Sequence, residues 1–341
     1  MKNLNVIDKL IFLANSLAAF VLLLAYFLPL MPPKTFAVLS VLSLGLPFLM
    51  LLNVLFFVYW LLKVKRQFIL SLLIVGFGYF LFGSLYKFSN SETEPSKKSI
   101  SVMNYNVRLF NLYDWIPDVN VPSKFSSFIK KEQPDILCIQ EYHPTTKVDL
   151  SMYPYKYEKI EGVKFKYGQA IFSKFPIINS GSVEFPNTAN NAIFADVVAY
   201  KDTIRVYNIH LQSLKIDKNV EKLTQTESEK VFLGIGKTFK MQQFQTELFL
   251  MHKNDCSYKT IISGDFNNTA FSYVYRSIKG DMLDAFKTSG NGFGRTFNFK
   301  FFPLRIDFLL ADKKLEVNKF KTFDVQLSDH YPVMATFSLK E

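Results

Sequence analysis

Several apolar stretches of this chain stop on residues that can bind a cation or move a proton. Ile261-Ile262-Ser263-Gly264-Asp265-Phe266-Asn267-Asn268 ends a strand-like run on a carboxylate and two amides. The run Ile136–Ile139 stops at Gln140 and Glu141, and the alternating stretch SISVMNYNVRLF carries Asn106 on the face of Val102 and Asn104. In DTIRVYNIHLQS, Asn208 and His210 share a face with Ile204 and Val206. Asp307 lies inside LRIDFLLAD, and Asp329-His330 stands just before the last apolar stretch. Carboxylates and carboxamides offer oxygen to hard cations, and imidazole exchanges protons near neutral pH.

Taken singly, most of these residues have bland explanations. Glu141 at a strand end reads as a solvated carboxylate, Asn106 and the SDHYP segment as turns, and His210 as a hydrogen-bonded structural histidine. Asp307 is harder to dismiss, because a carboxylate inside an apolar strand must find a partner. Taken together and in this order, they favour one shared site. Side chains at strand ends are held by the sheet, so one rim of an α/β fold can gather them rigidly. Between the strands, Phe125, Phe128 and Ile129 recur at helical spacing within Ser123–Lys131, with Ser123 as the expected cap. A longer helical region is expected over Asn219–Lys253, where Phe232, Phe239, Phe244, Leu248 and Met251 read as core.

The segments NYNVR, DILCIQEY, YGQAIFSKFPI, VYNIHLQS, SGDFNN, RIDFLL and SDHYPV, in that order, resemble the endonuclease/exonuclease/phosphatase superfamily. They span Ser101 to Val333, and GDFN with a downstream SDH is a specific combination. The resemblance implies a four-layer α/β sandwich, two packed mixed β-sheets flanked by helices. It also implies roles. Glu141 matches the main Mg²⁺ ligand, with Asn106 beside it and Asp329 at the metal-side aspartate. Asp265 matches the residue that orients or deprotonates the attacking water, and Asn267 the one that holds phosphoryl oxygens. His210 is expected at the phosphate or the leaving oxygen, and His330 as a second catalytic histidine oriented by Asp307.

Those residue types suit phosphoester hydrolysis. The substrate's negative charge repels a nucleophilic water, and Mg²⁺, with Mn²⁺ as the alternative, neutralises it through oxygen ligands. No cysteine–histidine cluster points to zinc. A carboxylate behind His330 fixes its tautomer and favours its charged form.

The N-terminal part has a different character. Three uncharged apolar runs, roughly Leu10–Met31, Phe36–Leu62 and Phe68–Tyr86, approach the ~20 residues a helix needs to cross a bilayer. Three transmembrane helices are therefore expected within a membrane anchor over residues 1–88. A polar linker over 89–98 and a catalytic domain over 99–341 follow. Lys63, Lys65 and Arg66 form the densest positive loop, which favours the cytoplasm and places the catalytic domain on the outer side of the cell membrane after three crossings.

The net charge of +11 and pI near 9.3 invite a nucleic-acid reading. Residues 1–98, however, hold nine Lys/Arg and three Asp/Glu, leaving 31 basic and 26 acidic residues beyond them. A domain of about +5 without a basic cluster makes a poor duplex-binding surface. The expected partners are thus the lipid bilayer, through the N-terminal helices, and a phosphoester substrate such as a lipid head group or a small molecule. Aromatic residues in NGFGRTFNFKFFPLRID, including Phe293, Phe299, Phe301 and Phe302, either dip into the membrane interface or pack beneath the sheets. A membrane-anchored nuclease acting on DNA or RNA is the alternative. A catalytically silent phosphate-binding or scaffold protein is disfavoured, since each matched position keeps a competent residue. Two cysteines, Cys138 and Cys256, are too few for a disulfide framework.

Overall fold

The computed structural model describes residues 4–83, 86–88, 92–117, 119–162, 166–214, 224–299 and 302–339. Expectations that fell on Asn219, Phe301 and part of the 89–98 linker lie outside these residues. The chain packs as two compact units, one of residues 1–85, 223–243 and 270–276, the other of residues 86–222, 244–269 and 277–341.

In the first unit, four α-helices follow one another: α1 (Val6–Ala25), α2 (Pro33–Val41), α3 (Leu46–Leu62) and α4 (Phe68–Phe82). Asn5 caps α1 by accepting from the Asp8 amide at 2.7 Å. Among the described residues, two segments can cross a membrane by length and composition, Val6–Leu30 and Pro33–Leu62, against the three expected. The apolar run of the third continues in sequence, but its helix ends at Phe82 because Gly83 turns to φ 75°. Fifteen residues rise only ~22 Å, against a hydrocarbon core of ~30 Å.

Polar side chains stitch these helices together. Asn15 donates to Ser71 Oγ at 2.8 Å, Trp60 Nε1 donates to Asn15 Oδ1 at 3.0 Å, and Tyr26 donates to the Ile74 carbonyl at 2.9 Å. Among apolar surroundings such groups need partners, and here they find them in neighbouring helices. Gly78 makes room for Tyr26: a Cβ there would lie 2.1 Å from the tyrosine oxygen.

The second unit is built on twelve strands: β1 (Ser99–Asn106), β2 (Ile136–Tyr142), β3 (Tyr155–Glu161), β4 (Tyr167–Ser173), β5 (Ile177–Glu184), β6 (Asn191–Ala199), β7 (Asp202–His210), β8 (Lys259–Asp265), β9 (Leu283–Asp284), β10 (Asp307–Ala311), β11 (Leu315–Thr322) and β12 (Val333–Leu339). They form two six-stranded sheets, ordered β11-β12-β1-β2-β4-β3 and β5-β6-β7-β8-β10-β9. Both sheets are mixed, with β1–β2 and β7–β8 parallel and their other neighbours antiparallel. The inner faces bury Ile100, Val102, Ile136 and Ile171 against Ile193, Val206, Ile261 and Leu309. Alternation in the sequence put these residues inward, since successive side chains on a strand face opposite sides.

Helices cover the outer faces. α5 (Val121–Glu132) lays Val121, Phe125 and Ile129 against Met103, Leu137 and Ile139 of the first sheet. Its cap is Asn120 rather than the expected Ser123. Pro122 fits the first turn, where its missing N–H costs nothing, so the helix starts earlier and Asn120 accepts from the Ser123 amide. α6 (Gln225–Asn254) brings Phe249 and His252 onto Tyr207 of the second sheet, with ring centroids 5.0 and 5.8 Å apart. Two short helices, α7 (Tyr273–Lys279) and α8 (Ala285–Ser289), complete the helical elements. The arrangement is the expected sandwich of two mixed sheets flanked by helices.

Candidate active site

Strand register does the first part of the gathering. His210, the last residue of β7, lies opposite Asp265, the last residue of β8. Asp265 in turn lies opposite Asp307, the first residue of β10. Three functional side chains therefore stand in one row across three adjacent strands. Gly264 permits it, because a Cβ there would meet the Ile209 carbonyl oxygen at 2.1 Å.

The first sheet supplies the facing residues. Asn106 ends β1 beside Gln140 of β2. The β2–β4 pairing then shifts register between Ile139 and Tyr142, and Glu141 adopts φ 48° within that irregularity. A bulge of this kind re-aims a side chain at a sheet rim. Asn106 Nδ2 consequently bridges the two sheets, donating to Glu141 Oε1 at 3.2 Å and to Asp265 Oδ2 at 3.0 Å.

His330 enters from the segment before β12. Its Nδ1 pairs with Asp307 Oδ2 at 2.9 Å, and its Nε2 lies 3.6 Å from Asp265 Oδ2. Asp307 is itself fixed, accepting from Asn104 Nδ2 through Oδ1, while Thr296 Oγ1 accepts from its backbone amide. His210 Nε2 sits 3.9 Å from Glu141 Oε1 and 3.8 Å from Asp265 Oδ2, with no hydrogen-bond partner among the described residues. Asn267, at φ 48°, donates its amide N–H to Asp265 Oδ1 at 2.8 Å and its side chain to the Leu211 carbonyl at 2.9 Å. Asp329 stands apart from the row and pairs with Arg108 at 2.8 Å. Seven of the eight expected residues thus converge, and Asp329 pairs with Arg108 outside the row.

The electrostatics divide the two histidines. Burial opposes a charge on His330, but Asp307 and Asp265 outweigh it and raise its pKa to about 10. Burial lowers the pKa of His210, which keeps it neutral. Burial also raises Asp265, to about 6, against the pull of His330, and raises Glu141. A fully buried Asp265 facing Glu141, which sits at the solvent edge of the row with 36% of its side chain exposed, favours a cation between them. Carboxylate oxygens from Glu141 and Asp265, with an unpartnered imidazole nitrogen beside them, form a set that fits a hard divalent ion, while Asn106 turns its amide nitrogen to both carboxylates and its oxygen to the Arg108 amide. Asp265, Asp307 and His330 also place ligand atoms within 4.8 Å of one another.

Two features were not legible in the sequence as parts of this site. One is a floor of buried polar side chains: Gln140 and Ser263 both donate to Asn104 Oδ1, Gln140 also bonds Asn208, and Asn208 donates to the Ile139 carbonyl. The other is the backbone after Asn106. Arg108, Leu109, Phe110 and Asn111 all take positive φ, between 44° and 61°. Each such residue costs roughly 1–2 kcal/mol when it carries a Cβ. Compensation comes from Phe110, buried against Phe125 and Tyr142 at 4.9 and 5.8 Å, and from the Arg108 amide donating to Asn106 Oδ1.

A family model described as the endonuclease/exonuclease/phosphatase family matches residues 103–330. The chain belongs to this family. Its enzyme class is accordingly that of the metal-dependent phosphoric ester hydrolases. Residues 8–85 match a separate model, described as a domain of unknown function. No curated protein matches the chain. Among solved structures, an endonuclease/exonuclease/phosphatase from Bacteroides vulgatus is 18% identical, with a TM-score of 0.54 over 72% of this chain and all of that one. A family protein from Beutenbergia cavernae is 16% identical, with a TM-score of 0.53 over 71% of this chain and 72% of that one. Humanized D. rerio TDP2 is likewise 16% identical, with a TM-score of 0.53 over 71% of this chain and all of that one. At these identities the likeness is one of fold.

Proposed function

We propose that this chain is a membrane-anchored, Mg²⁺-dependent phosphoesterase that hydrolyses a lipid head group or another small phosphoester by attack of water. The observation that carries the reading is the continuous chain of contacts Asp307–His330–Asp265–Asn106–Glu141, drawn from both sheets to one rim.

Glu141 would hold the cation, with Asp265 facing it and Asn106 fixing both carboxylates, while Asp329, the other expected ligand, is engaged by Arg108. When bound, Mg²⁺ supplies positive charge that neutralises the phosphoryl oxygens. Asp265 orients the attacking water and accepts its proton, a role suited to a carboxylate whose pKa is about 6. His330, kept cationic by Asp307, donates toward the charge that develops on the phosphoryl group. His210 is half-buried with its pKa lowered, and its enclosed, unpartnered Nε2 can contact a phosphate or leaving-group oxygen. Asn267 fixes Asp265 through its backbone N–H and stands next to the same oxygens.

The anchor reading rests on Val6–Leu30 and Pro33–Leu62, both uncharged over the length of a membrane core apart from their ends. Asp8 at the start of α1 pairs with Lys63 just past α3, which keeps the N-terminus and the Lys63–Arg66 loop at the same end of the helices. Positive charge there favours the cytoplasm. Outward placement of the catalytic domain requires α4 as a third crossing, which fifteen residues make only where the bilayer thins locally.

A phosphoester panel tests the function. Full-length protein in detergent is expected to cleave phospholipid head groups or small phosphoesters with Mg²⁺ and not in chelator. Cleavage of DNA or RNA alone would move the chain to the nuclease alternative, and hydrolysis of nothing in the panel would end the reading.

A further inference from the structure

The left-handed turn after β1 carries a cation to the edge of the site. Arg108 lies two residues beyond Asn106, and its guanidinium stacks over the Trp115 ring at 4.3 Å. Its Nη1 pairs with Asp329 at 2.8 Å, immediately before His330 in the chain. Arg108, Trp115, Ile116, Leu327 and Asp329 line a shallow cleft that opens to solvent and has room within it for about one water-sized group, so an anion meeting Arg108 sits at its mouth.

The loop that presents Arg108 is built rather than loose. Asn111 donates Nδ2 to the Ile116 carbonyl at 2.8 Å and accepts from the Ile116 amide at 2.9 Å, which closes residues 111–116 into a clamp. Tyr113 packs edge-on against Trp115 at 5.3 Å. Stacking on an aromatic face holds a guanidinium plane while its N–H edge stays available. One edge nitrogen is on Asp329, and the side chain keeps 29% of its surface exposed in the cleft. Phe110 and Ile116 tie the strained turn to the core, while Trp115 stays at the surface with Arg108 stacked on it. Together they aim a forked donor at an anion.

We propose that the 108–116 loop is the substrate-recognition element of the site, with Arg108 gripping the non-bridging oxygens of the phosphoester and Trp115 holding its guanidinium in plane. The inference deepens the phosphoesterase reading and rests on it for the identity of the anion. It assigns Arg108 a binding role and leaves the proton transfers to Asp265 and His330.

Inorganic phosphate is the probe, titrated calorimetrically into full-length protein in detergent micelles with chelator present. Arg108→Ala is expected to weaken phosphate binding at least ten-fold, Trp115→Ala about three-fold, and Arg108→Lys to lie between, because it restores charge without the fork. With bis(p-nitrophenyl) phosphate and Mg²⁺, the Arg108→Ala loss is expected to fall mainly on KM. Equal phosphate affinity in wild type and Arg108→Ala, no phosphate binding by the wild type, or a loss confined to kcat each overturn the proposal. A wild type that binds phosphate through Arg108 yet hydrolyses no phosphoester supports the proposal and sinks the phosphoesterase reading instead.

Discussion

His330 is held between two aspartates, with Nδ1 on Asp307 Oδ2 at 2.9 Å and Nε2 turned to Asp265 Oδ2 at 3.6 Å. The two carboxylates come from neighbouring strands and lie opposite each other in register. An imidazole so placed carries its proton between an orienting group and a reacting one. The same register puts His210 on the other side of Asp265, where burial, joined by the charge of His330, outweighs the pull of Asp265 and lowers its pKa.

The pH behaviour of His330 follows from this geometry. Its folded pKa, about 10, lies above the ordinary 6.5, so its charged form contributes stability that is fully present below pH 6.5 and is lost as pH rises through about 10. In chelator, the His330 ring is expected to stay protonated across neutral pH when followed by NMR of labelled histidines. Asp307→Asn should bring the titration down by at least a unit. A wild-type titration near 6.5 would contradict the assignment.

Glu141 is expected to set the metal requirement. Glu141→Gln removes a charge but keeps the side chain's shape, so the Mg²⁺ concentration for half-maximal hydrolysis should rise ten-fold or more. An unchanged Mg²⁺ titration would take Glu141 out of the metal site.

Cys256 reports the side of the membrane. Cys138 is fully buried and its thiol is pushed up to about 12, whereas Cys256 is partly exposed. In sealed right-side-out membrane vesicles, a membrane-impermeant maleimide is expected to label Cys256 without detergent, and the Cys256→Ser variant should remain unlabelled. Labelling only after solubilisation would put the catalytic domain on the cytoplasmic side and remove α4 as a crossing.

Much of the site was legible because its residues sit at the ends of apolar runs, where a polar side chain is conspicuous. SGDFNN, DILCIQEY and SDHYPV each announced a residue that now lies in the row or against it. The pairing of those residues was not legible, since nothing local to Asp265 or Asp307 encodes that they face each other across β8 and β10. Arg108 escaped for a different reason. Its left-handed turn runs through Arg108, Leu109 and Phe110 with no glycine to mark it, so tertiary packing of Phe110 had to override local preference. The third apolar run shows the converse limit: hydropathy continued to Tyr86, but the backbone left the helix at Gly83.

The most direct test is the turnover of full-length Asp265→Asn in detergent with saturating Mg²⁺, against the best phosphoester found for the wild type. Asp265 touches Asn106 and Asn267 and faces both His210 and His330. Loss of its basicity is expected to lower kcat by roughly 10³-fold or more with the fold retained, as general-base removal commonly does. A folded Asp265→Asn protein with wild-type turnover would contradict the account.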